Sequence, residues 1–201
     1  MIDEFAKDNL HRRLRRDRTA LLWKLDGLSE YDVRRPLTAT GTNLLGLVKH
    51  VASVEARYFG EVFDRPSPEG LVPWQDHDGS DLWAAEDETR EQITGFYRRT
   101  WEHSDATINE LPLDAPGHVP WWADPSPNTN LFAVMVHVLG ETNRHAGHAD
   151  ILREGLDGRT GMRPEHETQI DEEARAAHRA KIEQAAGSAA PGKAQRSSHV
   201  T

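Results

Sequence analysis

The stretch TNLFAVMVHVLGETNRHAGHADILRE, residues 129–154, carries the strongest folding signal in the chain. Its first half places large apolar residues on one helical face, and its second half is polar and charged. Asp157-Gly158 follows, a pair typical of a helix end. The segment therefore predicts a long amphipathic helix with one face against a core. The apolar positions are Leu131, Val134, Met135, Val138 and Leu139.

Three further segments show the same periodicity, over about residues 3–28, 43–63 and 82–111. Thr40 or Thr42 is the expected N-cap of the second segment. A connection over residues 29–41 and two loops over residues 64–81 and 112–128 separate the four segments. No run alternates with the period of a strand. Four amphipathic helices without strands predict an all-α chain that packs as a four-helix bundle.

The composition changes at Pro164, beyond which charged and small residues replace large apolar ones. We expect residues 167–185 to form an exposed helix on propensity alone, and the last fifteen or so residues to be disordered. The predicted organisation is therefore a bundle over residues 1–163 and a polar tail over residues 164–201.

Charge and composition exclude several classes of function. The 201-residue chain has 24 Lys and Arg against 33 Asp and Glu, a formal net charge of -9, which argues against nucleic-acid binding. It has no Cys, so a disulfide framework, a thiolate metal site and a Cys nucleophile are excluded. We find no signal-peptide pattern and no run near the roughly 18 apolar residues of a membrane span. We expect a cytoplasmic protein with a small-molecule substrate and no nucleic-acid or membrane partner.

The first helical segment carries a basic face beside its apolar one. This face could be a binding patch, but a solvated face, partly neutralised by Asp8 and Asp17, is the interpretation we favour. The apolar content of the same segment also permits a homodimer. The basic residues are Arg12, Arg13, Arg15, Arg16 and Arg18.

The densest group of ionisable residues lies on the fourth segment. Glu141 and His145 are four residues apart, so both can ligate one metal ion from the same helix. The third ligand must then come from a facing helix, as bundle metal sites usually arrange it. His50, midway along the second segment and at the edge of its apolar stripe, is the best candidate. The residues that share one sector of the fourth helix are His137, Glu141, His145 and His148.

A less specific interpretation stays open. Glu141 could pair with Arg144 or His145 on the surface, and His50 could be a buried histidine satisfied by one hydrogen bond. The chain lacks the motifs of a serine hydrolase, a dinucleotide-binding fold or a P-loop, so a nucleophile would come from metal-bound water or from a thiol cosubstrate. Histidines that we place outside any apolar helical stretch are His11, His77, His103 and His118.

Two motifs resemble those of a known family. Residues 43–51, NLLGLVKHV, together with Val54-Glu55, resemble its second-helix motif. Residues 137–154, HVLGETNRHAGHADILRE, resemble its fourth-helix motif. The family is the DinB/YfiT-like superfamily, and the branch is the actinobacterial mini-circle group of unknown function. The resemblance covers about residues 3–163 and leaves out the tail.

The resemblance implies a bundle of up-down-down-up topology with one divalent metal ion, commonly zinc, between the second and fourth helices. A related subgroup, which includes the mycothiol-dependent maleylpyruvate isomerases, binds the metal through His, Glu and His. This chain matches that pattern at His50, Glu141 and His145. It lacks the separate C-terminal domain of the isomerases, which puts the isomerase reaction itself in doubt.

The function implied by the resemblance is a thiol S-transferase. Its cosubstrate would be mycothiol or bacillithiol, and its substrate an electrophilic small molecule. The alternatives are a hydrolase that uses metal-bound water and a non-catalytic, metal-binding stress-response module. Candidates to assist the ligands or contact the substrate are His137, Arg144 and His148. The loops also carry tryptophans that either line a substrate pocket or anchor the loops on the core. These are Trp74, Trp121 and Trp122.

Overall fold

Helices account for most of the described chain. The computed structural model describes residues 2–67, 79–122, 127–163 and 171–189. These residues form the α-helices α1 (Ile2–Trp23), α2 (Glu30–Arg34), α3 (Leu44–Phe59), α4 (Arg90–Glu110), α5 (Leu131–Asp157) and α6 (Glu172–Ala189). They also form the 3₁₀ turns Glu61–Phe63 and Ser80–Leu82, and the strands β1 (Pro116–His118) and β2 (Asn128–Asn130). The predicted helical class is confirmed.

The start of α3 differs slightly from the prediction. Asn43 Oδ1 accepts a hydrogen bond of 2.8 Å from the backbone N–H of Gly46, so Asn43 is the N-cap. The expected caps, Thr40 and Thr42, were therefore wrong. Asn offers the same kind of side-chain acceptor as Thr, and here it is the residue that directly precedes the helix.

Side chains also define the ends of the other long helices. Thr89 forms a capping box with Gln92 at the start of α4, and Asn130 caps α5. Gly158 ends α5 in the left-handed conformation, with φ 75°, and its N–H donates to the Glu154 carbonyl. The predicted helix end at this glycine is confirmed.

Short elements lie where the sequence predicted none. Helix α2 falls inside the connection over residues 29–41, with Ser29 as its N-cap. Strands β1 and β2 pair antiparallel with Gly117 opposite Thr129, so the expectation of no strand is wrong for these two segments. Turns also shorten three long helices at one end each: α1 and α3 end earlier, and α4 begins later, than predicted. Elements this short show no measurable periodicity in a sequence.

The four long helices α1, α3, α4 and α5 pack around a hydrophobic core that has two parts. Helix α3 contacts both α4 and α5, and α1 contacts both α5 and α4. One part of the core includes Phe59, Leu131 and Val138, and the other includes Leu45 and Tyr97. Because α3 is buried over nearly its whole length, its polar residues face neighbouring helices or the turn Ser80–Leu82 rather than water.

The solvated-face prediction is wrong for one arginine of α1. Arg18 is fully buried, 2.7 Å from a carboxylate oxygen of Glu55 and 2.7 Å from one of Asp105. His11, predicted to lie outside the apolar stripe of this helix, is also buried and donates a hydrogen bond of 2.6 Å to Asp105. The reason is that this part of α1 packs against α4, where Asp105 offers an acceptor for both side chains.

These contacts shift the pKa of both acids. Burial raises the pKa of Glu55, and the charge of Arg18 opposes that rise. Burial acts in the same direction on Asp105, but hydrogen bonds from His11 and Arg18 and the charge of Arg18 hold its pKa well below the ordinary value. The network therefore keeps buried charges between α1, α3 and α4, distant in sequence from the fourth-helix histidines.

The chain divides into two compact units, residues 1–167 and 168–201. In the second unit α6 has no buried residue, which confirms the predicted exposed helix. Of the last fifteen or so residues, expected to be disordered, residues 187–189 belong to α6 and residues 190–201 lie outside the described residues. The boundary after residue 163 stays a prediction. Among the described helices, none has the length and hydropathy needed to cross a membrane.

Candidate functional site

Three of the candidate residues meet between α3 and α5. His50 projects from α3, while Glu141 and His145 lie one turn apart on α5. Each offers one ligand atom, and these atoms all lie within 4.8 Å of one another. His145 Nε2 is 3.4 Å from Glu141 Oε2, and the rings of His50 and His145 have centroids 4.7 Å apart. We call these three residues the ligand cluster.

A fourth side chain orients His50. Its Nδ1 donates a hydrogen bond of 2.5 Å to Oδ2 of Asp81, in the turn Ser80–Leu82. Metal-binding histidines commonly have a carboxylate on one ring nitrogen, which fixes the ring so that the other nitrogen faces the ion. Asp81 lies 31 residues from His50, among other acidic residues, so no spacing rule marks it in the sequence.

The turn that carries Asp81 is held across the start of α3. A Cβ added to Gly46 would lie 1.8 Å from the carbonyl oxygen of Leu82, so only glycine permits this approach. Asn43 Nδ2 donates to the same carbonyl at 3.3 Å, and Lys49 Nζ donates to the Ser80 carbonyl at 2.9 Å. The residues that begin α3 therefore also place the acid that orients its histidine.

Burial keeps His145 in its neutral form. Desolvation, and after it repulsion from His50, lowers the pKa of His145 from 6.5 to about 4, although Glu141 acts in the opposite direction. Neutral imidazole is the form that coordinates a metal ion. The buried Nδ1 of His145 has no hydrogen-bond partner among the described residues, so the ring keeps an unsatisfied ligand atom. The donor set thus fits a divalent ion.

The other fourth-helix candidates lie at the edge of the ligand cluster. His148 is exposed, with its ring centroid 5.3 Å from that of His145. Arg144 is exposed, and its guanidinium lies 3.9 Å from the Glu141 carboxylate. His137 lies one turn before Glu141, and burial lowers its pKa. The contacts of Glu141 with Arg144 and His145 are also those that the surface-pairing interpretation requires.

A pocket of about 230 Å³ adjoins the ligand cluster. It is lined by two members of the cluster, His50 and Glu141, and by the aromatic side chains Tyr58, Trp121 and Trp122. Both tryptophans also pack against the hydrophobic core. The structure thus places them as pocket wall and as loop anchor at once.

Hydrogen bonds to a single oxygen, Tyr58 Oη, connect the aromatic side chains of the pocket. Trp122 Nε1 donates to Tyr58 Oη at 2.9 Å, and Trp121 Nε1 donates to it at 3.4 Å. The Arg57 guanidinium covers the Trp121 ring, 4.1 Å from its centroid. In the sequence, Tyr58 looks like one more residue of the apolar stripe of the second helical segment, eight residues after His50. Trp74, the third tryptophan singled out, lies outside the described residues.

A protein-family model described as mycothiol-S-transferase matches residues 9–158. The matched range holds about two thirds of α1, the whole of α2 to α5, the ligand cluster and the described pocket residues. No curated protein matches the chain.

Proposed function

The chain belongs to the mycothiol-S-transferase family, and on that premise we propose that it is a metal-dependent enzyme that transfers the sulfur of mycothiol to an electrophilic small molecule. This family lies within the DinB/YfiT-like superfamily, so the resemblance seen in the two helix motifs is confirmed. The ligand cluster holds the metal, for which zinc is the preferred ion because two imidazoles and one carboxylate form a typical zinc donor set.

The observation that carries the proposal is the approach of three ligand atoms from two helices at the wall of a pocket. Three protein ligands leave a tetrahedral ion with an open position, which is the mark of a catalytic site. A divalent ion held there would lower the pKa of a coordinated thiol, so that the thiolate forms at neutral pH. Because the chain has no Cys, the sulfur must arrive with a cosubstrate.

The side chains of the protein have separate tasks in this proposal. Asp81 fixes the orientation of His50 through its Nδ1, and Glu141 compensates part of the charge of the ion. Tyr58, Trp121 and Trp122 give the pocket beside the ligand cluster its aromatic walls. His148 and Arg144, exposed beside the ligand cluster, lie where the electrophile would enter.

The first test is the metal content of the purified, untagged protein by elemental mass spectrometry. We expect about one divalent ion per chain in the parent and almost none in the triple variant His50→Ala/Glu141→Ala/His145→Ala. The matched control, His118→Ala/Glu154→Ala/His178→Ala, removes the same residue types from exposed positions and should keep the metal. Negligible metal in the parent after zinc reconstitution would exclude the metalloenzyme.

The second test is the dependence of turnover on thiol. Loss of an electrophile such as monochlorobimane is followed with and without mycothiol, and we expect turnover only with the thiol. The triple variant should lose this activity, and the control variant should keep it. Equal consumption of the electrophile without thiol would reject the transferase and favour a hydrolase.

We also propose that α1, α3, α4 and α5 form a four-helix bundle of up-down-down-up topology. Lys24, just after α1, lies 2.6 Å from Asp150 in the later half of α5, which supports parallel directions for α1 and α5. Thr107, late in α4, bonds to the Phe59 carbonyl at the end of α3, which supports the same relation for α4 and α3. The ligand cluster joins the middle of α3 to the middle of α5, and Tyr58 at the end of α3 packs on His137 early in α5, with ring centroids 4.4 Å apart, as antiparallel neighbours would.

A further inference from the structure

The aromatic end of the pocket points to a sugar site. We propose that Tyr58, Trp121 and Trp122, here called the aromatic subsite, bind the glucosamine ring of mycothiol while its sulfur lies at the ligand cluster. The inference rests on the proposed function and adds to it the placement of the cosubstrate. Mycothiol is an N-acetylcysteine joined through an amide to a glucosaminyl inositol, and apart from its thiol it carries no ionisable group.

The hydrogen bonds of the aromatic subsite leave one donor for a ligand. An indole N–H can only donate, so the bonds from Trp121 and Trp122 both use lone pairs of Tyr58 Oη. The hydroxyl proton of Tyr58 must then point to another acceptor, and none is found among the described residues. A ligand oxygen in the pocket would satisfy it, as a sugar hydroxyl or ring oxygen can.

The hydrogen bonds to Tyr58 Oη also fix the orientation of the three aromatic rings. Tyr58 and Trp121 meet edge to face at 87°, with centroids 5.3 Å apart, and Tyr58 is only 7% exposed. Arg57 covers the Trp121 ring and lies 3.5 Å from Glu61, so its charge is compensated. His137 also lines the pocket, with its ring centroid 4.4 Å from that of Tyr58. Aromatic faces that alternate with polar side chains suit an uncharged ring that presents C–H faces and hydroxyls.

The separation of His50 and Tyr58 along α3 matches the length of the cosubstrate from its sulfur to its sugar ring. Tyr58 lies eight residues after His50, which is about 12 Å of helix, and Val54 between them also lines the pocket. With the sulfur at His50, the cysteinyl amide would pass Val54, and the next ring along the molecule would reach the tryptophans. The pocket of about 230 Å³ is smaller than the roughly 300–1,000 Å³ of a drug-sized site, so it takes one ring and leaves the inositol at its mouth.

The electrophile makes a weaker occupant of the aromatic subsite. It must reach the sulfur itself, which lies at the ligand cluster, and so it needs no contact at the far end of the pocket. A cosubstrate that carries the same glycoside in every turnover can use a fixed subsite, whereas electrophiles of different shape cannot. The aromatic subsite therefore selects the thiol.

The direct test measures the binding of the glucosaminyl inositol fragment of mycothiol, which carries no sulfur. The fragment is titrated into the metal-loaded protein, and calorimetry gives its affinity. We expect binding to weaken about tenfold in Trp122→Leu and about three- to tenfold in Tyr58→Phe, which removes only the hydroxyl. Trp83→Leu, at an exposed tryptophan outside the pocket, is the control and should bind as the parent does. Circular dichroism and metal content verify that each variant is folded and loaded.

Kinetics with two thiols separate the aromatic subsite from the proposed function. In Trp122→Leu, we expect KM for mycothiol to rise about tenfold with kcat little changed, while kcat/KM for N-acetylcysteine, which lacks the sugar, stays at the parent value. Equal losses with both thiols, or fragment binding unchanged in both pocket variants, would overturn the subsite and leave the transferase standing. Absence of thiol-dependent turnover in the parent would overturn the proposed function and the subsite with it.

Discussion

At the scale of single residues, Asp81 matters because it holds a histidine that the helix alone would leave free to rotate. Its carboxylate accepts from His50 Nδ1 at 2.5 Å and is mostly buried. In Asp81→Asn we expect affinity for the divalent ion to fall about 10–100-fold, since loss of such a partner costs orientation and basicity of the ligand. Competition with a chromogenic chelator measures this. Asp87→Asn, exposed in the same segment, should keep the parent affinity, and equal affinity in both variants would contradict the role of Asp81.

Arg18 tests whether the buried charges of Arg18 and Glu55 stabilise the helices of the first unit as a pair. In Arg18→Met the carboxylate of Glu55 stays fully buried without its partner, and we expect the free energy of unfolding to fall by about 3–5 kcal/mol. Urea titration of the metal-free protein measures the loss. The double variant Arg18→Met/Glu55→Met should recover much of it, because two apolar side chains can fill the same space. A single variant as stable as the parent would show that the pair does not matter for stability.

These two residues also mark the limit of prediction from sequence. The ligand cluster was predictable because a Glu and a His four residues apart must share a helix face, and because His50 lies within an apolar stripe. Asp81 and Tyr58 were not, since their roles depend on which loop packs against which helix. Arg18 was misplaced because a basic run indicates a wet face on average, and no local rule reveals a buried acid on another helix.

At the scale of elements, the contact between the start of α3 and the turn Ser80–Leu82 should be sensitive to one methyl group. Gly46→Ala would bring its Cβ within 1.8 Å of the Leu82 carbonyl oxygen, which is backbone and cannot rotate away. We expect a loss of about 1–3 kcal/mol of unfolding free energy, by urea titration, together with weaker metal binding because Asp81 moves with the turn.

Gly155→Ala on α5 is the control for this change. Nothing lies within 4 Å of a Cβ at Gly155, so alanine there should raise the unfolding free energy by up to about 1 kcal/mol through helix propensity alone. Gly46→Ala as stable as the parent, with unaltered metal affinity, would show that the turn is not held as described.

The long helices were predictable and the short elements were not, for the same physical reason. Periodicity needs several turns to emerge, and α1, α3, α4 and α5 are each long enough to bury a continuous stripe. Helix α2 has five residues and each strand three, and these are held by caps and by the packing of their neighbours. The sequence thus indicates the frame of the bundle, whereas the connections that complete the site require the structure.

At the scale of the whole molecule, we expect the first unit to fold without the second. Both parts of the hydrophobic core are drawn from residues between Leu10 and Leu156, and α6 has no buried residue. A chain that ends at residue 163 should therefore keep the thermal unfolding midpoint and metal content of the full chain. Differential scanning calorimetry and elemental analysis check this, and a midpoint several degrees lower would place the boundary elsewhere.

The buried charges predict how stability of the whole molecule depends on pH. Asp105 has a pKa below its unfolded value, so it binds fewer protons when folded; its contribution is present above pH 3.8 and is lost as pH falls below that value. Asp157, paired with Arg153, acts in the same direction. Glu55 acts in the opposite direction, because burial raises its pKa; its contribution is greatest below pH 4.5 and is lost as pH rises. A pH profile of the parent alone would therefore mix opposing effects.

The variant Asp105→Asn separates the contribution of Asp105 from the opposing contribution of Glu55. At pH 7 we expect this variant to lose about 2 kcal/mol or more of unfolding free energy, because charged hydrogen bonds to His11 and Arg18 are weakened. At pH 3 the difference from the parent should shrink, because the Asp105 carboxyl then takes up a proton in the unfolded chain while its lowered pKa keeps it ionised in the folded chain, which favours unfolding of the parent. Urea titrations at pH 7, 5 and 3 in the presence of a chelator measure the difference without a contribution from metal. Asp114→Asn, exposed on a loop, should match the parent at every pH. If the variant Asp105→Asn loses the same unfolding free energy relative to the parent at pH 7, 5 and 3, the carboxylate acts through its shape and not through its charge.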